Sequence, residues 1–219
     1  EDLGKIGLSV SYTTQEKGVA AETFAGAAAR FWRYPTRDRL MVNFNGEFKL
    51  IDKLALKANI WYDDFSQQID SYKNFDYKEI TESQYDMDNV IGSRLSVIYN
   101  ISDNHIISAV FNGFTTQHKQ HINEKADDIY TQNTISTGLE YRGIVDNLDV
   151  NAGIGYDLNT TPKTGIFVEA EGTSQSDVSA FATIKYNILD YLALYVSGSQ
   201  RTRFPSMREQ YDGALNSFK

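Results

Sequence analysis

The stretch from Leu148 to Leu158 reads LDVNAGIGYDL, and its residues alternate strictly between two kinds. Even-numbered positions carry apolar side chains, whereas odd-numbered positions are polar or glycine. A period of two predicts a β-strand with one apolar face and one polar face. A soluble sandwich shows the same alternation, so this stretch alone leaves open whether the apolar face meets a protein core or lipid.

The same alternation returns along the chain in pairs of segments joined by short turns, with one hairpin in roughly every 45 residues. The predicted strands are 6–12, 40–50, 54–62, 95–101, 107–111, 135–141, 148–158, 178–188 and 192–196. The short turns are centred near Asp52, Asp103, Asp146 and Asp190. We therefore predict a meander of about nine antiparallel strands.

Long polar segments connect one hairpin to the next, at 13–38, 63–89, 117–130 and 159–176, and we predict them to be loops. The first contains an alanine-rich part that favours a helical turn. All three prolines fall outside the predicted strands. Strands of about 11 residues, tilted by about 40°, span near 28 Å, which matches the apolar band of an outer-membrane barrel.

Composition excludes several classes of protein. The chain has 219 residues, no Cys and a net charge of -8, and it shows no basic stripe that would bind nucleic acid. Without Cys it forms neither disulfides nor a Cys-based metal site. No apolar run approaches the roughly 20 residues of a membrane helix, although barrel strands need no such run.

We find no metal, cofactor or catalytic set in the sequence. His118 and His121 are three positions apart, with Glu124 beyond, but this polar segment is predicted to be a solvated loop. The carboxylate pairs 63–64 and 127–128 are interpreted as solvated charges, with calcium binding as the alternative. No nucleophile motif of the G-x-S-x-G type is present, so we predict that the chain is not an enzyme.

The most specific signature follows the last strand, in the sequence RTRFPSMREQYDG. Arg203-x-Pro205 followed by Glu209-x-Tyr211 resembles the signature that follows a barrel strand in TonB-dependent outer-membrane receptors. Two departures from the family pattern are Thr202 in place of an aromatic residue and Gln210 in place of leucine. The segment 29–35, ARFWRYP, also resembles receptors from Bacteroidetes-type bacteria.

The resemblance implies an all-β fold, a partial transmembrane barrel with short periplasmic turns and long extracellular loops. Residues 1–219 would be one fragment of a barrel domain that lacks the plug, since such receptors have about 22 strands around a plug. It implies import of a large nutrient across the outer membrane of a Gram-negative bacterium. The partners would be membrane lipid, the nutrient and, through the missing plug, the TonB complex.

Two sets of residues are candidates within this resemblance. Arg203, Pro205, Glu209 and Tyr211 are expected to fix loop and strand geometry and to have no chemical role. Trp32, Tyr34 and Trp61 are the possible substrate-facing residues, and we expect Trp61 close to the loop end of its strand.

Two other interpretations stay open. A soluble or surface all-β binding domain would pack its apolar face on a second sheet. A small complete outer-membrane barrel would need an even number of strands and hydrogen bonds between the first and the last.

Overall fold

A computed structural model describes residues 4–23, 26 and 29–210 of the chain. They form one nine-stranded antiparallel sheet in which spatial order follows sequence order. The strands are β1 (Gly4–Gly18), β2 (Phe31–Ile51), β3 (Leu54–Tyr72), β4 (Ile80–Ser102), β5 (His105–Ile122), β6 (Asp128–Val145), β7 (Leu148–Thr164), β8 (Thr173–Leu189) and β9 (Leu192–Gln200). A 3-10 helix, Val168–Ala170, precedes β8, and the short helix α1, Met207–Gln210, follows β9.

Short and long connections alternate as predicted. Four two-residue turns lie at one end of the sheet, here called the turn end, and each begins with the predicted aspartate. Two-residue loops are the tightest connections of antiparallel strands and fix the register of each hairpin. The opposite end, called the loop end, carries the connections 19–30, 73–79, 123–127 and 165–172.

The strands run much further toward the loop end than the sequence predicted. β3 continues to Tyr72 and β4 begins at Ile80, so the predicted loop 63–89 is mostly strand. The predicted loops 13–38, 117–130 and 159–176 are likewise shortened from both sides. The prediction was wrong because alternation disappears where both faces of a strand are polar, while backbone pairing continues. The predicted helical turn falls partly on residues outside those described.

Two prolines lie inside strands, which the sequence analysis did not expect. Pro35 belongs to β2 and Pro162 to β7. Both occupy register shifts, between Arg33 and Thr36 on β2 and opposite the shift between Thr131 and Asn133 on β6. A β-bulge leaves one residue outside the ladder, so a residue without an N–H is tolerated there.

Strand pairing sorts the side chains of the sheet into two faces. One cross-strand row on the apolar face consists of Phe48, Leu56, Val97, Ala109, Leu139, Ile154 and Ala180. A row on the polar face consists of Asn45, Asn59, Arg94, Asn112, Ser136, Asp157 and Asp177. The alternation read from single strands therefore extends across the whole sheet.

Burial is inverted relative to a soluble domain. Among the described residues, the only buried hydrophobic residue is Ala170. The buried polar residues are Asp70, Asp86, Gln132, Asn159, Thr161, Thr164 and Gln210. The apolar face is exposed, with Leu139 and Ile154 each 58% accessible and Leu8 70% accessible. A continuous exposed apolar face of this extent marks a surface that contacts something other than water.

The apolar side chains of β7 follow this arrangement. None of Val150, Ala152 and Ile154 is buried, so they do not belong to a protein core. In the part of the chain that the structure describes there is no second sheet against which the apolar face packs.

The sheet is also open, since β1 pairs only with β2 and β9 only with β8. A small closed barrel made of the nine described strands is therefore wrong. No helix among the described residues is long and apolar enough to cross a membrane.

Aromatic side chains cover glycines on the polar face. Gly92 lies opposite Trp61, and a Cβ atom added at Gly92 would lie 2.2 Å from Trp61 Cζ2 and 2.8 Å from Phe114 Cβ. Gly153 is covered in the same way by the ring of Phe181. Such glycines let a large ring lie flat against its neighbouring strand.

We expect Gly92→Ala to lower the free energy of unfolding by about 1–3 kcal/mol, because the Trp61 ring must move away from the strand. The measurement is the guanidinium midpoint of the protein in detergent. Gly7→Ala is the matched control, since Gly7 also lies on a strand and has no atom within 4 Å of an added Cβ. Equal midpoints for the two variants would contradict the close packing of Trp61.

Candidate functional site

The loop-end half of the polar face holds a cluster of interacting polar and aromatic side chains and is our candidate site. Two of the predicted substrate-facing residues, Trp32 and Tyr34, lie here on β2. The guanidinium carbon of Arg30 is 5.1 Å from the Trp32 ring centroid. Arg37 lies 5.4 Å from the ring centroids of both Tyr34 and Phe65. These stacked cations and rings combine positive charge with flat apolar surface.

Trp61, the third predicted residue, is not part of this group. It pairs with Asn43 and Gly92 in the middle of β3, whereas Trp32 pairs with Ser71. Ten strand positions correspond to about 33 Å. The expectation that Trp61 lies close to the loop end was wrong, because β3 extends beyond the point where its alternation stops.

A hydrogen-bonded belt crosses the polar face between β3 and β5. Asp86 is buried and accepts hydrogen bonds from Gln67 Nε2 at 2.9 Å and Gln84 Nε2 at 2.8 Å. Gln120 Nε2 lies 3.5 Å from the same carboxylate. Side-chain amides thus satisfy a buried carboxylate that would otherwise be costly to bury.

His118 and His121 lie on β5, not in a loop, and they point to opposite faces because they are an odd number of residues apart. His118 Nδ1 is 2.7 Å from Asp88 Oδ1, and His121 Nδ1 is 3.1 Å from Asp127 Oδ1. The hydrogen bond with Asp88 raises the pKa of His118 above its ordinary value of 6.5, against the effect of burial.

The paired carboxylates also lie on or beside strands and have individual partners. Asp63 accepts a hydrogen bond from Arg39 Nε at 2.9 Å, and Asp64 accepts one from Asn89 Nδ2 at 3.2 Å. Asp127 forms an ion pair with Lys119 at 2.7 Å, which lowers the pKa of its carboxyl. Within the described ranges, no group of three or more His, Cys, Asp or Glu side chains is arranged to hold a metal ion.

The signature segment after β9, residues 201–210, has a compact shape of its own, and we call it the strap. Arg203 donates two hydrogen bonds of 2.8 Å to the Glu209 carboxylate. Ser206 and Glu209 form a reciprocal capping box at the start of α1, with Ser206 N donating to Glu209 Oε2 at 2.8 Å. Arg203 and Ser206 together lower the pKa of Glu209 to about 2. Tyr211, the last residue of the signature, lies outside the described residues.

The strap lies on the polar face of β6 and β7. The carbonyl of Pro205 accepts hydrogen bonds from Gln132 Nε2 and from Gln210 Nε2, both at 3.0 Å. Gln132 also donates to Asn159 Oδ1 at 3.2 Å. Sequence reasoning missed Gln132 and Asn159, because no local pattern marks a contact across 73 residues.

Replacing Asp88 by asparagine should lower the pKa of His118. The charged imidazole loses its carboxylate partner in this variant, and the pKa is measurable by NMR titration of the histidine ring. Because the pKa is raised in the folded protein, the stability from this pair is present below pH 6.5 and is lost as the pH rises through the raised pKa.

Asp64→Asn is the matched control for this titration, since Asp64 contacts Asn89 and not His118. It should leave the titration of His118 unchanged. An unaltered titration curve in Asp88→Asn would show that the hydrogen bond with Asp88 does not set the pKa.

Comparison with known proteins identifies the architecture to which this sheet belongs. No family model and no curated protein matches the sequence. The copper transporter OprC superposes over 97% of this chain with a TM-score of 0.74 and 12% sequence identity. BauA, the ferric preacinetobactin receptor from Acinetobacter baumannii, superposes over 90% with a TM-score of 0.65 and 8% identity. The chain spans 36% and 37% of the lengths of these two proteins. Neither comparison supports an origin in Bacteroidetes. At these identities the likeness establishes the fold, which is that of part of an outer-membrane β-barrel.

Proposed function

We propose that this chain forms part of the barrel wall of a TonB-dependent receptor in the outer membrane of a Gram-negative bacterium. The observation that carries the proposal is the inverted sheet, with exposed apolar side chains on one face and buried polar side chains such as Asp86, Gln132 and Asn159 on the other. Lipid covers an apolar face of this kind in membrane barrels, and the lumen contacts the polar one. The fold shared with OprC and BauA supports this assignment.

The dimensions of the sheet support the same proposal. Most strands have 17–23 residues, so they are longer than an apolar band of about 25 Å requires. The polar loop-end halves of the strands would then stand above the membrane as an extension of the wall. Tyrosines border the band on the apolar face near the turn end, where Tyr99, Tyr141 and Tyr186 lie. Such aromatic girdles are typical of both membrane interfaces.

The transported molecule in this proposal is a large nutrient, such as a siderophore or an oligosaccharide. Trp32 and Tyr34 would contact it at the outer rim, where Arg30 and Arg37 add positive charge. Trp61 lies deeper on the polar face, so it would contact the nutrient during passage. Arg203, Pro205 and Glu209 would fix the strap and make no contact with the nutrient. Energy would come from the TonB complex, through a plug in the complete protein.

A charge placed on the apolar face tests the membrane assignment. Ile184 on β8 is 50% exposed on that face. In the complete protein we expect Ile184→Lys to destabilise the barrel by about 2–4 kcal/mol if it lies at the bilayer midplane, and by less near an interface. The measurement is the fraction of heat-resistant, folded protein in isolated outer membranes.

Thr183→Lys is the matched control, because Thr183 is the adjacent residue and projects from the polar face beside Asn151 and Ser197. It should assemble like the unaltered protein. If the complete protein fractionates without detergent, the soluble all-β alternative replaces the membrane assignment.

Import tests the transport part of the proposal. A strain that depends on the complete protein should grow on limiting concentrations of its nutrient, screened from a panel of ferric siderophores and oligosaccharides. Deletion of TonB should abolish that growth, because outer-membrane transport of this kind draws energy through TonB. Growth that persists without TonB would refute the energy coupling, even if the protein is found in the outer membrane.

A further inference from the structure

The strap is built so that it keeps its shape independently of the wall beneath it. Five hydrogen bonds join Glu209 to Arg203 and Ser206, and a sixth joins Gln210 to the carbonyl of Pro205. All six are formed within ten residues of chain. Local bonds of this kind survive when the segment moves as a body, since they do not depend on other elements.

Among the hydrogen bonds of the described residues, two join the strap to the sheet. Gln132 of β6 donates to the Pro205 carbonyl at 3.0 Å, and the hydroxyl of Thr202 donates to the Asp177 carboxylate of β8. Gln132 is itself 8% exposed and is fixed by Asn159, which is 3% exposed. The donor of this hydrogen bond is therefore held in place within the sheet, and its acceptor is one backbone oxygen of the strap, that of Pro205.

The connection between strap and sheet has the form of a hinge. β9 ends at Gln200, which pairs with Ala180, while β8 continues in the loop-end direction as far as Thr173. No strand segment links residues 201–206 to the free edge of β8. Hinges are element-terminal residues that absorb a change in backbone angles, and Arg201 stands at such a position.

A cavity of about 490 Å³ lies between the strap and the wall. Phe204 and Met207 line it from the strap, and Phe114, Ser136 and Asn159 line it from the sheet. The strap is thus a roof over a space large enough for a small molecule.

We propose that the strap is a movable roof. Its preformed part, residues 203–210, swings about residues 201–202, where the Thr202 hydroxyl stays bonded to Asp177, and the hydrogen bond from Gln132 to Pro205 is its latch. With the latch closed, the strap covers the polar face of β6 and β7. With the latch open, the cavity joins the space in front of the sheet. This proposal concerns the motion of the strap and does not depend on which nutrient the barrel transports.

The test uses thiol accessibility in the complete protein, with any native cysteines outside this chain replaced. Ser136→Cys places a thiol in the cavity lining at the edge of the strap. Ser136 is half-buried, so a charged maleimide should reach the thiol slowly with the latch closed and faster when the roof opens. We expect Gln132→Leu to raise the labelling rate of this thiol about tenfold, the change in an equilibrium constant for loss of a hydrogen bond of ordinary strength.

Two controls separate opening of the roof from general loosening. Thr115→Val removes a 2.8 Å hydrogen bond to Asn133 between β5 and β6 without touching the strap, and it should not change the labelling rate. Ser197→Cys, an exposed position of β9 that is not beneath the strap, should label equally in both latch backgrounds.

Three outcomes would overturn the proposal. One is a Ser136→Cys rate that does not respond to Gln132→Leu, including no reaction in either background. The second is an equal acceleration by Thr115→Val, and the third is an equal acceleration at Ser197→Cys. Failure of the import experiment leaves these rates unaffected, so the two proposals fail separately.

Discussion

The backbone ladder between neighbouring strands is the constraint on which the rest of this structure depends. Each strand from β2 to β7 pairs along most of its length with two neighbours, so most of its N–H and C=O groups are satisfied without side chains. The ladder also fixes the face to which each side chain points. A slip of one residue would move every apolar side chain of a strand to the polar face. Tight turns at Asp52, Asp103, Asp146 and Asp190 prevent such a slip within the hairpins.

Register shifts lie near the ends of the strands, so the alternation of apolar and polar side chains is undisturbed in the middle of the sheet. The shift at Pro35 lies toward the loop end of β2, and the shift beside Pro162 lies at the end of β7. Between them and the turn end the pairing of β3 with β4 continues unbroken as far as Ser71. The middle of the apolar band is thus built on regular pairing. Further register shifts lie beside the tight turns, between Lys49 and Ile51, between Asn100 and Ser102, and between Asn187 and Leu189. A bulge within the band would place a polar side chain among apolar ones.

Sequence alone predicted the parts of the fold that depend on contrast between the faces. The hairpins, their order and the four turns are visible because Leu40–Leu50 and similar segments alternate between water-compatible and apolar side chains. Contrast is lost beyond Asp63, where β3 continues with polar residues on both faces, so its last ten residues were assigned to a loop. In this region the backbone of β3 is held by hydrogen bonds to β4, and the sequence pattern of one strand does not reveal its pairing with another. Trp32, Tyr34 and Trp61 are candidates together within the family resemblance, but the separation of the first two from Trp61 follows from the true length of β3.

The sequence signature of the strap specifies the internal structure of the strap but not its position on the sheet. Ser206 and Glu209 are three residues apart, and a capping box at that spacing forms through local bonds. The signature therefore specifies the internal shape of the strap. Its position on the sheet is specified by Gln132, which reaches Pro205 across 73 residues of chain. A chain with the same signature and an apolar residue in place of Gln132 would form the strap without fixing it to the wall. The shape of the strap and its position on the wall are thus encoded in separate parts of the sequence. A substitution that alters the position of the strap therefore leaves its internal shape intact.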